Sequence, residues 1–416
     1  MGWSAAPAAL IAARAPDRPA GAAAPDRGAG LFRTPVAASE AARHLSSAKM
    51  YPYWILFSVS AFAALQYRYS FSASQSARGV LLLVGLAAVT AMLGLRMEIG
   101  GDWAAYIDHF KFYRDTDLFG SLTGHLDPGY GLLNWIVGQA GLPFVWVNLI
   151  CGAIFCWGIF RFTQLEPSPW LALCIAVPYL IIVVGMGYTR QSVAIGFMLA
   201  GLASFQKNNS LLKLALYIAA GATFHKTIVV VFPIIALAQQ RPFAVKAMIL
   251  GGLAVLMYYA FAASSAESLY ANYVVEEYDA AGAAIRLAMN AVPAAIFLKF
   301  RDRFQMTTLQ SSLWRNFAWV SIALLLAVPV FSSSVFLDRL GLYFIPLQMV
   351  VIGRIPFTGR TAPYSARIAL GIIAAYAVVM FAWFNTGVNA QWWLPYELYV
   401  GSDEQVVRLE QGLQDQ

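Results

Sequence analysis

Residues 170–188 read WLALCIAVPYLIIVVGMGY, and TRQS follows directly at 189–192. The first stretch holds no Asp, Glu, Lys, Arg or His and is apolar on every side, whereas a helix on the surface of a soluble core needs only one apolar stripe. About 20 such residues cross the hydrocarbon of a bilayer. The stretch is therefore read as a membrane span, and an ion, Arg190, stands at its end. Working outward, similar runs recur from Leu81 to Leu95, Pro143 to Phe160, Ile228 to Ala238, Met248 to Ala263, Phe317 to Phe331 and Ile368 to Phe384. Across the 416 residues 60% are hydrophobic and only 12% charged, about half the charged share of a soluble domain.

The chain is thus expected to be an all-α polytopic membrane protein. About twelve spans are expected, near 51–66, 79–95, 143–162, 170–186, 188–206, 211–224, 226–240, 244–263, 283–299, 313–331, 336–353 and 367–385. The stretches 211–224 and 226–240 are short, as in broken or tilted helices. Residues 1–49, rich in Ala, Pro and Arg, read as a disordered tail, and Met50 reads as a candidate start. Residues 50–400 form the transmembrane domain, and 401–416 a polar C-terminal tail. The net charge of +7 raises nucleic acid as a partner, but Lys and Arg sit in short loops, as on the cytoplasmic side of membrane helices. No nucleic-acid partner is expected. Cys151, Cys156 and Cys174 lie in apolar spans, match no metal motif, and read as packing residues.

Taken alternately, the connections sort by charge. One set holds Arg68 and Arg78, Arg161, Lys207 and Lys213, Arg241 and Lys246, Lys299 to Arg303, and Arg354 to Arg367. The other holds Arg96 to Asp127, Arg190, His225-Lys226, the acidic stretch Glu267 to Asp279, and Asp338-Arg339. The nearly pure basic set is expected to be cytoplasmic, which puts the second set, and both chain ends, outside.

The first external loop, RMEIGGDWAAYIDHFKFYRDTDLFGSLTGHLDP at 96–128, is expected to bear short amphipathic helices. Its carboxylates accept hydroxyl hydrogen bonds, its aromatic rings can stack on sugars, and Arg binds phosphate bidentately. A solvated interfacial helix explains the same residues. Residues 129–141 are too short to span and are expected at the interface. Arg190 sits among apolar residues on the side where cations are scarce, and boundary ions there mark functional sites; snorkelling is its bland explanation. His225 is a similar case against a plain packing histidine, and Asp338 and Arg339 would pair with each other on the bland view.

In order, these segments resemble the EpsG family of Wzy-like bacterial polysaccharide polymerases. GLRMEIGGDWAAYIDHF (94–110) is similar to a Gly-x-Arg-x-x-x-Gly-x-Asp-x-x-x-Tyr pattern through Gly94, Arg96, Gly100, Asp102 and Tyr106. DPGYGLLNW (127–135) is similar to a Glu-Pro-Gly-Tyr segment, with Asp127 in place of Glu, followed by Tyr130. YTRQSVAIGF (188–197) carries Arg190, Gln191 and Ala194. TFHKTIVVVFP (223–233) keeps His225, though Lys226-Thr227 depart from the usual Ser-Ser or Ser-Ala. DRLGLYF (338–344) carries Arg339 and Tyr343, and WLPY (393–396) closes the match.

The resemblance implies polymerisation of undecaprenyl-diphosphate-linked oligosaccharide repeats on the outer, periplasmic face of the inner membrane, giving exopolysaccharide, capsule or O-antigen. It implies membrane lipid, a chain-length regulator and export proteins as partners. A diphosphate leaving group needs positive charge, so Arg96, Arg190 and Arg339 are expected to bind it. Gln191, Tyr106, Tyr130 and Tyr343 are expected around the substrate. An acceptor hydroxyl benefits from a general base, for which Asp102 ranks first, His225 second and Asp127 third. No metal and no cofactor is expected. Another lipid-linked glycosyltransferase, such as an O-antigen ligase, a flippase, and a structural component of a secretion complex stay open as alternatives.

Overall fold

The computed structural model describes residues 50–66, 75–124, 126–242, 244–248, 251–252, 282–331, 334–358 and 365–414. All belong to one compact unit, Ser46–Gln416. The expected tail 1–49, most of the expected span 244–263 and the stretch Glu267 to Asp279 lie outside the described residues. In chain order the helices are α1 (Tyr51–Leu65), α2 (Gln75–Gly94), α3 (Trp103–Arg114), α4 (Leu118–Thr123), α5 (Pro128–Gln139), α6 (Val145–Thr163), α7 (Pro169–Ala176), α8 (Thr189–Asn208), α9 (Leu211–Ala222) and α10 (Val231–Ala236). There follow α11 (Ala283–Phe300), α12 (Thr308–Ala327), α13 (Ser334–Gly341), α14 (Pro346–Arg354), α15 (Ala366–Thr386) and α16 (Asp403–Gln414). The protein is all-helical among the described residues, apart from one isolated bridge between Arg96 and Leu398.

The expected dozen full spans is not confirmed among the described residues. Among the described residues, Val145–Thr163, Pro169–Gly187, Ala283–Arg303 and Ala366–Thr386 are long and apolar enough to cross a membrane. A fifth would be the pair Ser334–Phe344 and Pro346–Phe357, bent by 47°. The shortfall has physical causes. Tyr51–Leu65, Leu211–Ala222 and Lys226–Ala236 are apolar but short. Helices α8 and α12 reach 20 residues each, but Arg190, Gln191 and Lys207 in one and Gln310, Arg315 and Asn316 in the other dilute their hydropathy.

The opening stretch is the centre of the molecule: 89% of the most apolar 18-residue window in Pro169–Gly187 is buried within the protein, against 22% for Ala366–Thr386. Its helix is not uniform. Pro178 has no N–H to offer the preceding turn, and Val177–Val184 winds as a wider π-helix. The indole Nε1 of Trp393 donates to the Ile182 carbonyl in that wider stretch at 3.0 Å. The helix then breaks at Tyr188 (φ −123°, ψ 62°), where α8 begins. The break sets Arg190 and Gln191 in the first turn of α8, at the positive end of that helix's dipole.

Around this centre, α8 crosses α6 so closely that a Cβ on Gly158 would lie 2.0 Å from the Gly196 carbonyl oxygen; only glycine permits this approach. The loop after α2 is pinned by backbone bonds from Met97 N to Glu397 O (3.0 Å) and from Gly100 N to Trp392 O (2.9 Å). Gly100 there has φ +101°, and a Cβ on it would meet the Met186 carbonyl at 2.9 Å. The segment after α2 that was expected to be an external loop is helical, with α3 burying Tyr106, Ile107, Phe110 and Tyr113. Within the C-terminal stretch 401–416, α16 docks on α3, with Leu409 buried and Arg408 paired to Glu397 and Glu98. At the end carrying the basic loops, Arg354 closes a buried bidentate pair with Glu166 at 2.7 and 3.2 Å.

Candidate active site

A cavity of about 220 Å³ is lined by Asp102 and Tyr106, by Tyr188, Arg190 and Gln191, by His225 and Thr227, and by Val335, Phe336, Arg339 and Leu340. Four segments, spread along the sequence from Asp102 to Leu340, thus converge on one space. Each is delivered by a local device. Asp102 is the N-cap residue of α3, yet its side chain caps no backbone N–H. It makes no ion pair among the described residues, and its carboxylate faces the cavity. Tyr106 follows one helical turn later on the same face. His225 ends the turn after α9 in an extended conformation (φ −158°, ψ 100°). Gln191 Nε2 donates to the Arg339 carbonyl at 2.8 Å, tying the start of α8 to α13.

The polar side is ordered around Asp127. Its carboxylate oxygen Oδ2 lies 3.5 Å from Arg190 Nη1 and 3.9 Å from His225 Nδ1. Asp127 itself is not among the lining residues; it stands behind them at the N-terminus of α5. The backbone bond from Gly129 N to Thr223 O, 2.7 Å, holds that terminus against the His225 turn. Burial pushes the Asp127 carboxyl up, and Arg190 and Lys226 pull it back down. Burial pushes the His225 imidazole down to about 3, helped by the cations Arg190, Arg339 and Lys226. His225 is therefore neutral at physiological pH and can accept or donate a hydrogen bond. The Arg339 guanidinium lies 4.0 Å over the ring centroid of Tyr188.

The remaining expected residues sit elsewhere. Arg96 is only 1% exposed. It donates to the Leu93 carbonyl, to Asn148 Oδ1 (3.1 Å) and to Thr189 Oγ1 (2.8 Å), so it joins α2, α6 and α8 and does not reach the cavity. A phosphate-binding place for Arg96 is not what the geometry offers, because a buried guanidinium takes the internal acceptors around it. Tyr130 is fully buried behind Tyr106, ring centroids 5.9 Å apart. Tyr343 is also fully buried; its hydroxyl shares a 2.9 Å hydrogen bond with Thr227 Oγ1 and supports that lining residue from behind. The pairing of Asp338 with Arg339, the bland explanation of these two residues, does not form. Asp338 instead accepts from Arg286, at 2.7 and 2.9 Å.

Thr227, Tyr188, Val335, Phe336 and Leu340 were not expected at the site. Thr227 had a signal, being the departure beside His225. Val335 and Phe336 lie one turn before Arg339, but periodicity alone cannot separate a lining apolar residue from a packing one.

A polytopic helical protein with a cavity of half-buried ions is a membrane protein with a polar site, and the sequence comparison narrows that class. The EpsG family model matches residues 80–398, and the chain belongs to the EpsG family. No curated protein and no solved structure matches the chain. Membership associates this integral membrane protein with exopolysaccharide polymerisation of a glycosyltransferase-like kind.

Proposed function

We propose that the protein polymerises oligosaccharide repeat units carried on undecaprenyl diphosphate, at the outer face of the inner membrane. The observation that carries this is the meeting of Asp102, Arg190, His225 and Arg339 in one cavity, all from connections assigned to the external side by charge. In the proposed reaction the bond between the donor's anomeric carbon and the diphosphate oxygen breaks, and its electron pair leaves with the diphosphate. The acceptor's hydroxyl oxygen bonds to that carbon. The hydroxyl proton passes to the Asp102 carboxylate, which is in the cavity and bears no competing cation partner among the described residues. The diphosphate gains a negative charge as it leaves, and Arg339 and Arg190 are the cations that meet it. Neutral His225, steadied by Asp127, and Thr227 offer hydrogen bonds to sugar hydroxyls. The product is exopolysaccharide, capsule or O-antigen, and chain-length control and export fall to partner proteins.

The test is Asp102→Asn, at confirmed membrane levels, with glycan size read on gels. Loss of long chains with single repeats left on lipid is expected, at least a 100-fold drop in polymer if the base supplies the usual factor. Accumulation of long polymer still on its lipid carrier would identify a ligase instead. Disappearance of the single repeats as well would place the block upstream and remove the polymerase reading.

A further inference from the structure

The cavity wall is chemically divided. Among the described residues, every aliphatic or phenyl side chain in it comes from α13: Val335, Phe336 and Leu340. The same helix supplies Arg339. These four residues share one face, because i, i+1, i+4 and i+5 lie together at 3.6 residues per turn. Asp338 leaves that face to take both bonds from Arg286, and it is 6% exposed. The charge of Asp338 is thus compensated away from the cavity. The Arg339 guanidinium makes no ion pair among the described residues and rests on the Tyr188 ring. Helix α13 therefore offers an uncompensated cation one turn from a pair of apolar side chains.

This pattern suits an amphiphile whose anion is joined directly to hydrocarbon. Inorganic phosphate or a nucleotide sugar would leave Val335 and Phe336 against water, and a neutral sugar would leave Arg339 without a partner. Under the polymerase reading two lipid-linked glycans enter the reaction, and their chemistry separates them. The donor reacts at the carbon bonded to its own diphosphate, so its lipid adjoins the reacting centre. The acceptor reacts at a sugar hydroxyl away from its lipid. The hydrocarbon that reaches this cavity is then the donor's. A volume of about 220 Å³ admits the diphosphate and the start of the chain, with the rest lying outside.

We propose that α13 is the donor-lipid wall: Arg339 holds the diphosphate, and Val335, Phe336 and Leu340 hold the first isoprene units. This rests on the function proposed above. Purified protein in nanodiscs would be given donors with the same glycan and diphosphate on either a long polyprenyl or a saturated methyl-only anchor, with the acceptor held constant. The wild type is expected to favour the polyprenyl donor in kcat/KM, and Phe336→Ser and Val335→Ser to reduce that preference about tenfold. An undiminished preference in both variants overturns the proposal. A second measurement needs no substitution. A donor bearing a diazirine on its first isoprene unit is photolysed with the wild-type protein and the labelled peptide mapped. Label within 334–341, displaced by excess unlabelled donor, supports the proposal; displaceable label on another segment overturns it while leaving the polymerase reading standing. Wild-type protein that forms no polymer from either donor and takes no displaceable label fails the polymerase reading itself.

Discussion

His225 is the residue whose surroundings alter its chemistry most plainly. Its ordinary pKa is 6.5, and the folded protein holds it at about 3 through burial first and the cations Arg190, Arg339 and Lys226 after that. Between those two values the unfolded chain binds a proton that the folded chain refuses. Stability from this group is therefore complete above pH 6.5 and is lost as pH falls toward 3, by at most about 1.4 kcal/mol per pH unit. Melting in detergent at pH 7.5 and 5 should show wild type losing more than His225→Gln over that interval. Equal losses would mean that His225 titrates normally and that the cavity is wetter than its geometry implies. Asp127 illustrates how far residue identity carries. Its acidity and its place before Pro-Gly-Tyr were legible, and so was its closeness to a functional segment. That its carboxylate lies between Arg190 and His225, behind the cavity wall, was not, because those partners are 63 and 98 positions further along the chain.

At the scale of elements, ions divide between two ends of the helices. Glu166, in the connection before α7, and Arg354, at the end of α14, form a bidentate pair with side chains 1% and 10% exposed. Removing one partner strands the other charge in a low-dielectric setting. Arg354→Ala should cost about 3–5 kcal/mol of stability, read as a lower unfolding midpoint in denaturing detergent. Glycan polymerisation per folded molecule should be unchanged, since neither residue lines the cavity. A loss of specific activity with an unchanged midpoint would assign the pair to function. The α6–α8 crossing at Gly158 and Gly196 matters differently, because α8 carries Arg190 and Gln191 at its start. Helix existence was readable here from apolar runs; of the two short stretches expected to be broken or tilted, Leu211–Ala222 is a regular helix and Lys226–Ala236 divides into a 3-10 turn and the short α10. The number of full spans was not readable. Hydropathy counts apolar residues, and it does not register a π-helical widening at Pro178, a break at Tyr188 or a 47° bend before Pro346.

For the whole molecule the open physical quantity is sidedness. The charge distribution predicts that the loop Arg96 to Asp127 lies outside and the α8–α9 connection inside. The native cysteines are all buried, so single introduced cysteines report cleanly. Thr123→Cys in spheroplasts should react with a membrane-impermeant maleimide, and Asn208→Cys only after lysis; both positions are exposed. The reverse pattern would put the cavity in the cytoplasm and remove the lipid-linked donor's outer-leaflet site. Membrane residence, helical class and family follow from the sequence by itself, because apolar run length and the order of short motifs are properties of neighbours along the chain. Its motifs also named most of the cavity's polar residues. Only the tertiary structure decided that Arg96 is an internal strut, that Asp338 answers to Arg286, and that α13 lends apolar side chains to the site. Those outcomes depend on which distant charges and helix faces meet in space, and burial of a charge is settled by the partners that packing brings to it.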